Sequence, residues 1–359
     1  MSVRVLALRL IPLVAMSVGV QSPAADLAEH AHWKRLKALV EPRVASNPND
    51  AEAQWLLSRV RLEYRDAEGS LPPAEKAVAL DGRNAEYRWQ LAQAVGEIAS
   101  SASVFKQLGL AKRFKREAEA VLALNPRHTG ALVGLMEYYY RAPAIIGGDK
   151  KKAAQIADQI SAIDAVDGYM AKARLLSRAE PPAPASQFEQ LYVQAVQAAP
   201  SRYEPHINLA SIYASGTAPR WELAEKEALT ARRIDADRTA PYSILAAIYA
   251  TAERWAELDA ILIEAEKKIP DNLSPFLRAA TALSATGKDL ARAERYARKY
   301  IAQEPEPNAT SPAVAHWRLA AILEKQGRTA EAVGELQTST RLDPKFEQAQ
   351  KDLKRLTRG

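Results

Sequence analysis

An all-α fold of helical hairpins stacked one on the next is predicted by three observations on this 359-residue chain. A unit of 34 residues recurs along most of its length, and apolar residues inside each unit fall at offsets of three and four. The chain also holds only 15 glycines and no cysteine, which leaves little with which to turn β-hairpins or staple loops. Hydrophobic residues at 48% and charged residues at 26% are those of an ordinary folded protein, so disordered, collagen-like and polytopic membrane classes are excluded. The lack of cysteine removes disulfides, thiolate zinc sites and cysteine nucleophiles together.

Residues 1–24 read as a secretory signal peptide: Arg4 and Arg9, an apolar stretch from Leu10 to Val20, then Ser22-Pro23-Ala24 as a small-x-small cleavage site. The apolar stretch is too short for a spanning helix, which needs about 20 residues. Export to the periplasm or outside the cell is therefore expected, with an uncleaved anchor as the competing reading. Removing the leader lowers the net charge from +6 to +4. That mild balance suits solubility and a weak attraction to anionic surfaces better than nucleic-acid binding.

A capping segment, residues 25–50 with a helix over about Leu27–Ala45, precedes the array. The units then follow as 51–84, 85–128, 129–167, 168–202, 203–238, 239–272, 273–307 and 313–346, and residues 347–359 form a C-terminal capping helix. Units 239–272 and 313–346 overlay without a gap: Tyr242, Leu245, Ala246, Tyr249, Leu262 and Pro270 stand opposite His316, Leu319, Ala320, Leu323, Leu336 and Pro344. Small residues such as Ala246 and Ala320 let two helices approach where bulky side chains face them, and the closing proline stops the second helix. Unit 85–128 carries about ten extra residues, expected between its helices; unit 129–167 has an insertion at Ala142–Gly148. Unit 168–202 is the most degenerate, split by a proline-rich turn at Glu180–Ala185.

This order of large, Leu, small, Tyr, small, aromatic, Ala and Pro resembles the tetratricopeptide repeat (TPR) family, and Pro48, Pro126, Pro200, Pro270, Pro305 and Pro344 all stand at its closing-proline position. With the leader, the chain is similar to exported bacterial TPR proteins. The resemblance implies a right-handed α-solenoid whose first helices line a concave groove that binds proteins or peptides, and whose second helices form the outer wall.

Catalytic and metal chemistry find little support. His206 and His316 fall at the first bulky position of their repeats, equivalent to Tyr242, and repeat packing accounts for them. His128 follows Pro126 in a turn, and His30-x-His32 on a helix would point its rings apart. Neither Gly-x-Ser-x-Gly nor His-Glu-x-x-His occurs. Gly147-Gly148-Asp149 before Lys150, Lys151 and Lys152 lacks the Gly-Lys-Ser/Thr ending of a phosphate loop; it reads as a turn, a helix cap at Asp149, and solvated lysines. No enzyme activity, cofactor or metal is expected.

The groove positions carry the functional expectation. In the N-terminal repeats they hold Trp55, Arg59, Glu63, Trp89, Gln93, Glu97, Glu137, Tyr140 and Arg141, together with Glu52 and Glu86. The C-terminal repeats offer mainly Ser211, Ser243, Ala247, Thr251, Ser284 and Trp317. Aromatic anchors amid charge mark interface hot spots, so a protein or peptide partner is expected at the N-terminal half, and the excess of glutamates favours a basic segment. Burial of Trp55 and Trp89 against a neighbouring first helix is an equal expectation. The family's carboxylate clamp is not matched, because Arg59 and Gln93 stand where it has Asn. The alternative reading is contact with an anionic polymer or membrane surface through the basic runs Lys112, Arg113, Lys115, Arg116 and Arg292, Arg295, Arg298, Lys299 on second helices.

Overall fold

Short polar side chains start the helices where the repeat register asks for them. Asp50 accepts from the Ala53 amide at 2.9 Å, Asn84 from Glu86 at 2.9 Å and Tyr87 at 3.2 Å, and Asp164 from Asp167 at 2.8 Å, each satisfying a first-turn donor that has no intrahelical partner. A computed structural model describes residues 23–358, and among them all regular structure is helical, with nineteen α-helices, one short 3-10 turn and no strand. The expected leader lies outside the described residues but for Pro23 and Ala24, which begin the first helix. No helix among the described residues is long and apolar enough to cross a membrane. The chain divides into two compact units, residues 1–200 and 201–359.

In the first unit, α1 (Pro23–Glu29) and α2 (Trp33–Ser46) lead into the hairpins α3 (Ala51–Glu63) with α4 (Ala67–Leu80), α5 (Ala85–Ser101) with α6 (Val104–Leu124), α7 (Thr129–Arg141) with α8 (Lys150–Ile163), and α9 (Ala165–Leu176) with α10 (Ala185–Ala198). Three expectations are corrected. The leading segment is two helices, broken where Ala31 takes a left-handed φ of 61°. The extra residues of the second hairpin do not form a loop: α5 runs 17 residues and α6 runs 21, because no proline interrupts either and both continue as helix. And α9 begins at Ala165, ahead of the expected boundary at Gly168, because Asp164 caps it.

The second unit holds α11 (Tyr203–Tyr213) with α12 (Trp221–Ile234), α13 (Thr239–Thr251) with α14 (Trp255–Lys268), α15 (Ser274–Thr286) with α16 (Leu290–Ile301), and α17 (Pro312–Lys325) with α18 (Thr329–Leu342), closed by α19 (Glu347–Arg358). Its fully buried large side chains, Tyr242, Leu245, Leu258, Leu277, Leu283 and Leu319, interleave with alanines at 0–1% exposure, among them Ala246, Ala280, Ala297 and Ala320. The fold is thus a TPR-like α-solenoid. Within each unit successive first helices touch one another, as α3 does α5, α7 does α9 and α13 does α15, so their outward positions share one face.

The core of the first unit is organised by an indole. Trp89 on α5 is 7% exposed, with Phe114 edge-on at 6.3 Å and His128 at 5.7 Å. Two glycines of α7 make the slot: a Cβ on Gly134 would lie 2.6 Å from Trp89 Cη2, and one on Gly130 would lie 3.0 Å from its Nε1. His128, expected in a turn, is the cap of α7, its Nδ1 accepting from the Ala131 amide at 3.0 Å.

Candidate functional site

Helical register sets the first-helix face of unit 1, since residues four apart share a side: Trp55, Arg59 and Glu63 on α3, Gln93 and Glu97 on α5, Glu137 and Arg141 on α7. Trp55 is half-buried. Its ring meets Tyr87 at 5.8 Å, and the Arg59 guanidinium lies 5.1 Å from its centre and 5.8 Å from that of Trp33. A cation held between two indoles is a desolvated and rigid arrangement. Burial pushes Arg59 down from its ordinary range, and the carboxylates of Glu63, Glu86 and Glu29 act against that shift. Three carboxylates thus act on this one guanidinium. Gln93 and Glu97 on α5 are half-buried.

Three expected groove residues are placed differently. Trp89 is the core indole just described, so it packs and presents nothing to a partner. Glu137 is 2% exposed, beneath Arg174 at 3.9 Å and Arg178 at 3.6 Å, and offers no free carboxylate to the groove. Tyr140 is half-buried and donates its hydroxyl to the Arg178 carbonyl at 3.0 Å, which ties α7 to the end of α9. Arg141 closes α7, lowered by burial and by Arg178, with Glu137 opposing. Sequence reasoning missed Arg174 and Arg178 because it read groove positions in the first three repeats and in the C-terminal ones but none in the degenerate fourth. Their spacing of four on a helix ending was the available signal.

The insertion after α7 behaves as its residues suggest. Gly147 turns at φ 93°, a Cβ on Gly148 would fall 1.7 Å from the Ala142 carbonyl oxygen, and Asp149 caps α8 by accepting from Lys151 at 2.9 Å and Lys152 at 3.1 Å. The lysines are exposed, as expected, and two of them also reach tyrosine rings: Lys152 lies 4.2 Å from the centre of Tyr139 and Lys150 lies 5.0 Å from that of Tyr140. Ring quadrupoles attract ammonium groups at such distances.

The basic runs on second helices are likewise engaged. Arg113 reaches Glu75 at 2.5 Å, Arg292 reaches Asp259 at 2.9 Å and Lys299 reaches Glu266 at 2.7 Å, across sequence separations of 33 to 38 residues. These are rungs between successive hairpins at the repeat period. Each exposed pair contributes about 0–1 kcal/mol, and their larger effect is to spend cationic charge that a surface binder would use.

Among the described residues no group of three or more His, Asp and Glu is arranged to hold a metal. His206 and His316 each turn Nδ1 to a glutamate of the paired second helix, Glu227 at 2.5 Å and Glu335 at 2.6 Å, so these histidines close hairpins. In unit 2, Trp317 donates to Asp352 at 2.8 Å and stands edge-on to Phe346 at 5.6 Å, which fastens α19 to α17.

No family model matches the chain. No curated protein matches it either. Solved structures do show similarity in fold. Yeast Tom70 is 13% identical over 93% of this chain and 79% of its own, with a TM-score of 0.49. TTC0263, a thermophilic TPR protein of Thermus thermophilus, is 21% identical over 53% of this chain and 94% of its own, with a TM-score of 0.44. The Cut9–Hcn1 hetero-tetramer of the APC/C is 13% identical over 93% of this chain and 62% of its own, with a TM-score of 0.46.

Proposed function

We propose that this chain is an exported, non-enzymatic scaffold that binds a protein or peptide partner along the first helices of unit 1. The carrying observation is the stack of Arg59, Trp55 and Tyr87, half-buried above the core indole of Trp33, with glutamates acting on its guanidinium. Rigid aromatic and arginine side chains with a charged rim are what interface anchors consist of. A basic residue of the partner would sit beside Glu63, Glu86 and Glu97, next to Trp55. The rival reading, an anionic surface held by second helices, is disfavoured by the ion-pair rungs that already occupy Arg113, Arg292 and Lys299.

The test is affinity capture from an envelope extract with the leaderless chain and its Trp55→Ala variant in parallel, each checked for helicity. The reading holds if the same protein is retained by the parent and lost by the variant. It fails if both retain it, or if retention disappears from both in moderate salt, as contact with an anionic surface would. N-terminal sequencing of the protein from the periplasmic fraction tests export, and an intact Met1 in the cytoplasm refutes it.

A further inference from the structure

Two hairpin tips of unit 1 leave large apolar side chains bare. Phe105, in the first turn of α6, is 95% exposed, and Ile145, in the 3-10 turn Ala144–Ile146 after α7, is 91% exposed. Among the described residues the next most open large apolar side chain is Ile263 at 68%. Helical register explains Phe105: the buried Phe114 lies nine positions on, and nine steps of about 100° put the two rings on opposite sides of α6. Leu108 and Lys112, three and seven positions after Phe105, share its outward side and are exposed as well.

Both tips lie at one end of the stack. The segment 125–128 joins α6 to α7, and Phe114 in the middle of α6 stacks on Tyr138 near the end of α7 at 6.4 Å, with Lys115 lying 5.3 Å from the centre of Tyr139. The two helices are therefore antiparallel, and the start of α6 and the end of α7 point the same way. The Tyr138 hydroxyl donates to the Ile146 carbonyl, which holds the second tip against that end.

Positive charge accompanies the apolar groups. The tips carry Lys106, Lys112, Lys150, Lys151 and Lys152 against a single acid, Asp149, whose carboxylate accepts from two amides of α8. Lys106, Lys112 and Lys151 are exposed and enter no ion pair among the described residues. Hairpins of ordinary length differ. The α13–α14 turn is Ala252-Glu253-Arg254 and the α17–α18 turn is Gln326-Gly327-Arg328, without a large apolar residue, and their arginines are paired, Arg254 with Glu225 and Arg328 with Glu294, each at 2.6 Å. Bare apolar groups and unpaired lysines thus arrive together, on the two hairpins that depart from 34 residues.

Single apolar side chains standing out among free ammonium groups match an anionic bilayer, where rings and aliphatic groups enter the acyl boundary and lysines meet the headgroup phosphates. A protein partner matches them less well, because lysine is depleted at protein interfaces. We infer that the α5–α6 and α7–α8 tips of unit 1 dock on the surface of an anionic phospholipid bilayer, with Phe105 and Ile145 inserted and Lys106, Lys112 and Lys151 at the headgroups. The contact is made by the tips and not by the ion-paired outer wall. It uses no residue of the Trp55 stack, so it stands or falls separately from the scaffold reading.

The experiment is co-sedimentation of the leaderless chain, which lacks the apolar stretch Leu10–Val20, with vesicles of phosphatidylglycerol and phosphatidylcholine in equal parts. Pure phosphatidylcholine vesicles are the second arm, and the parent should bind them about ten-fold or more weakly. Phe105→Ser with Ile145→Ser should weaken binding to the mixed vesicles about ten-fold or more, and Lys106→Gln with Lys151→Gln about five-fold or more. Helicity should be unchanged, because all four side chains are exposed. Trp55→Ala should bind the vesicles as the parent does.

Insertion is read directly. The chain has no cysteine, so Phe105→Cys, Ile145→Cys and, as a control in unit 2, Ile263→Cys each carry one nitrobenzoxadiazole label. Emission should rise on the mixed vesicles for labels at positions 105 and 145 and stay unchanged at 263. Equal binding to both kinds of vesicle, binding indifferent to the serine pair, or labels at 105 and 145 that respond no more than the one at 263 would each overturn the inference. So would capture of a protein through Phe105 and Ile145 by a chain that binds no vesicle.

Discussion

Tyr242 sets its hydroxyl 3.1 Å from Glu264, joining the fourth residue of α13 to the paired helix α14, and shares its one proton between that carboxylate and the Ala236 carbonyl at 2.9 Å. The same tie recurs with other chemistry at the same repeat position: Arg88 to Glu117 at 3.1 Å, His206 to Glu227 at 2.5 Å and His316 to Glu335 at 2.6 Å. In these four hairpins a position that reads as merely bulky is therefore also a polar latch. The Tyr242 phenol is pushed well above its ordinary range by burial, with Glu264 adding to the shift, and it stays neutral and donating throughout the physiological range.

Tyr242→Phe should lower unfolding stability by about 1 kcal/mol, the net worth of a buried hydrogen bond, and leave the far-ultraviolet spectrum unchanged. Urea denaturation measures it. No change in midpoint would show that the latch contributes nothing beyond packing.

Trp89→Ala should cost about 3–5 kcal/mol, because truncation empties the slot between Phe114, His128 and α7. Trp55→Ala, at a half-buried stack, should cost less than half as much and act on partner binding. Equal losses in paired urea titrations would show that both indoles are core residues.

Gly134→Ala sets helix propensity against space. Alanine gains about 1 kcal/mol in a helix interior. Its Cβ would lie 2.6 Å from Trp89 Cη2 and 3.0 Å from Phe114 Cζ, and overpacking of that kind costs about 1–3 kcal/mol. Net destabilisation is expected in the parent and a smaller loss, or a gain, in a Trp89→Ala background. Additive effects across the double-mutant cycle would refute direct contact.

Glu137→Lys should unfold or loosen the third and fourth hairpins, since it places a fourth cation among Arg141, Arg174 and Arg178; breaking a buried pair costs about 3–5 kcal/mol. Glu97→Lys, at a half-buried position, should leave the melt nearly unchanged. Thermal unfolding of the two single variants separates them, and similar melting temperatures would contradict the buried placement of Glu137.

Acid should release the closing helix α19. Burial raises the Asp352 carboxyl, but hydrogen bonds from Trp317, Gln348 and Arg355 outweigh it, and the hydrogen bond from Arg355 lowers Glu324 despite opposing burial. Both groups titrate lower in the folded chain than in the unfolded one, so their contribution is complete above the ordinary carboxylate range near about pH 4 and is lost as pH falls through the folded values. Hydrogen exchange in 347–358 should accelerate below that range, and Asp352→Asn should flatten the dependence. Exchange indifferent to pH-corrected acidification would count against this docking.

The hairpins were legible in the sequence because their determinants are local. Apolar spacing, small residues at the helix crossing and capping side chains lie within one 34-residue unit, as in Thr239–Asn272. That Trp55 shares one helix face with Arg59 and Glu63 was legible for the same reason. What a side chain does once placed depended on residues a repeat away, where the units drift. Trp89 is a core residue because Gly130 and Gly134 of the next hairpin leave room for its ring. Glu137 is a buried counter-charge because Arg174 and Arg178 of the following hairpin reach it. Burial and charge balance are sums over neighbours in space, so the sequence by itself determined the repeat and the faces of its helices, and the tertiary structure decided which of those side chains pack and which stay open to solvent.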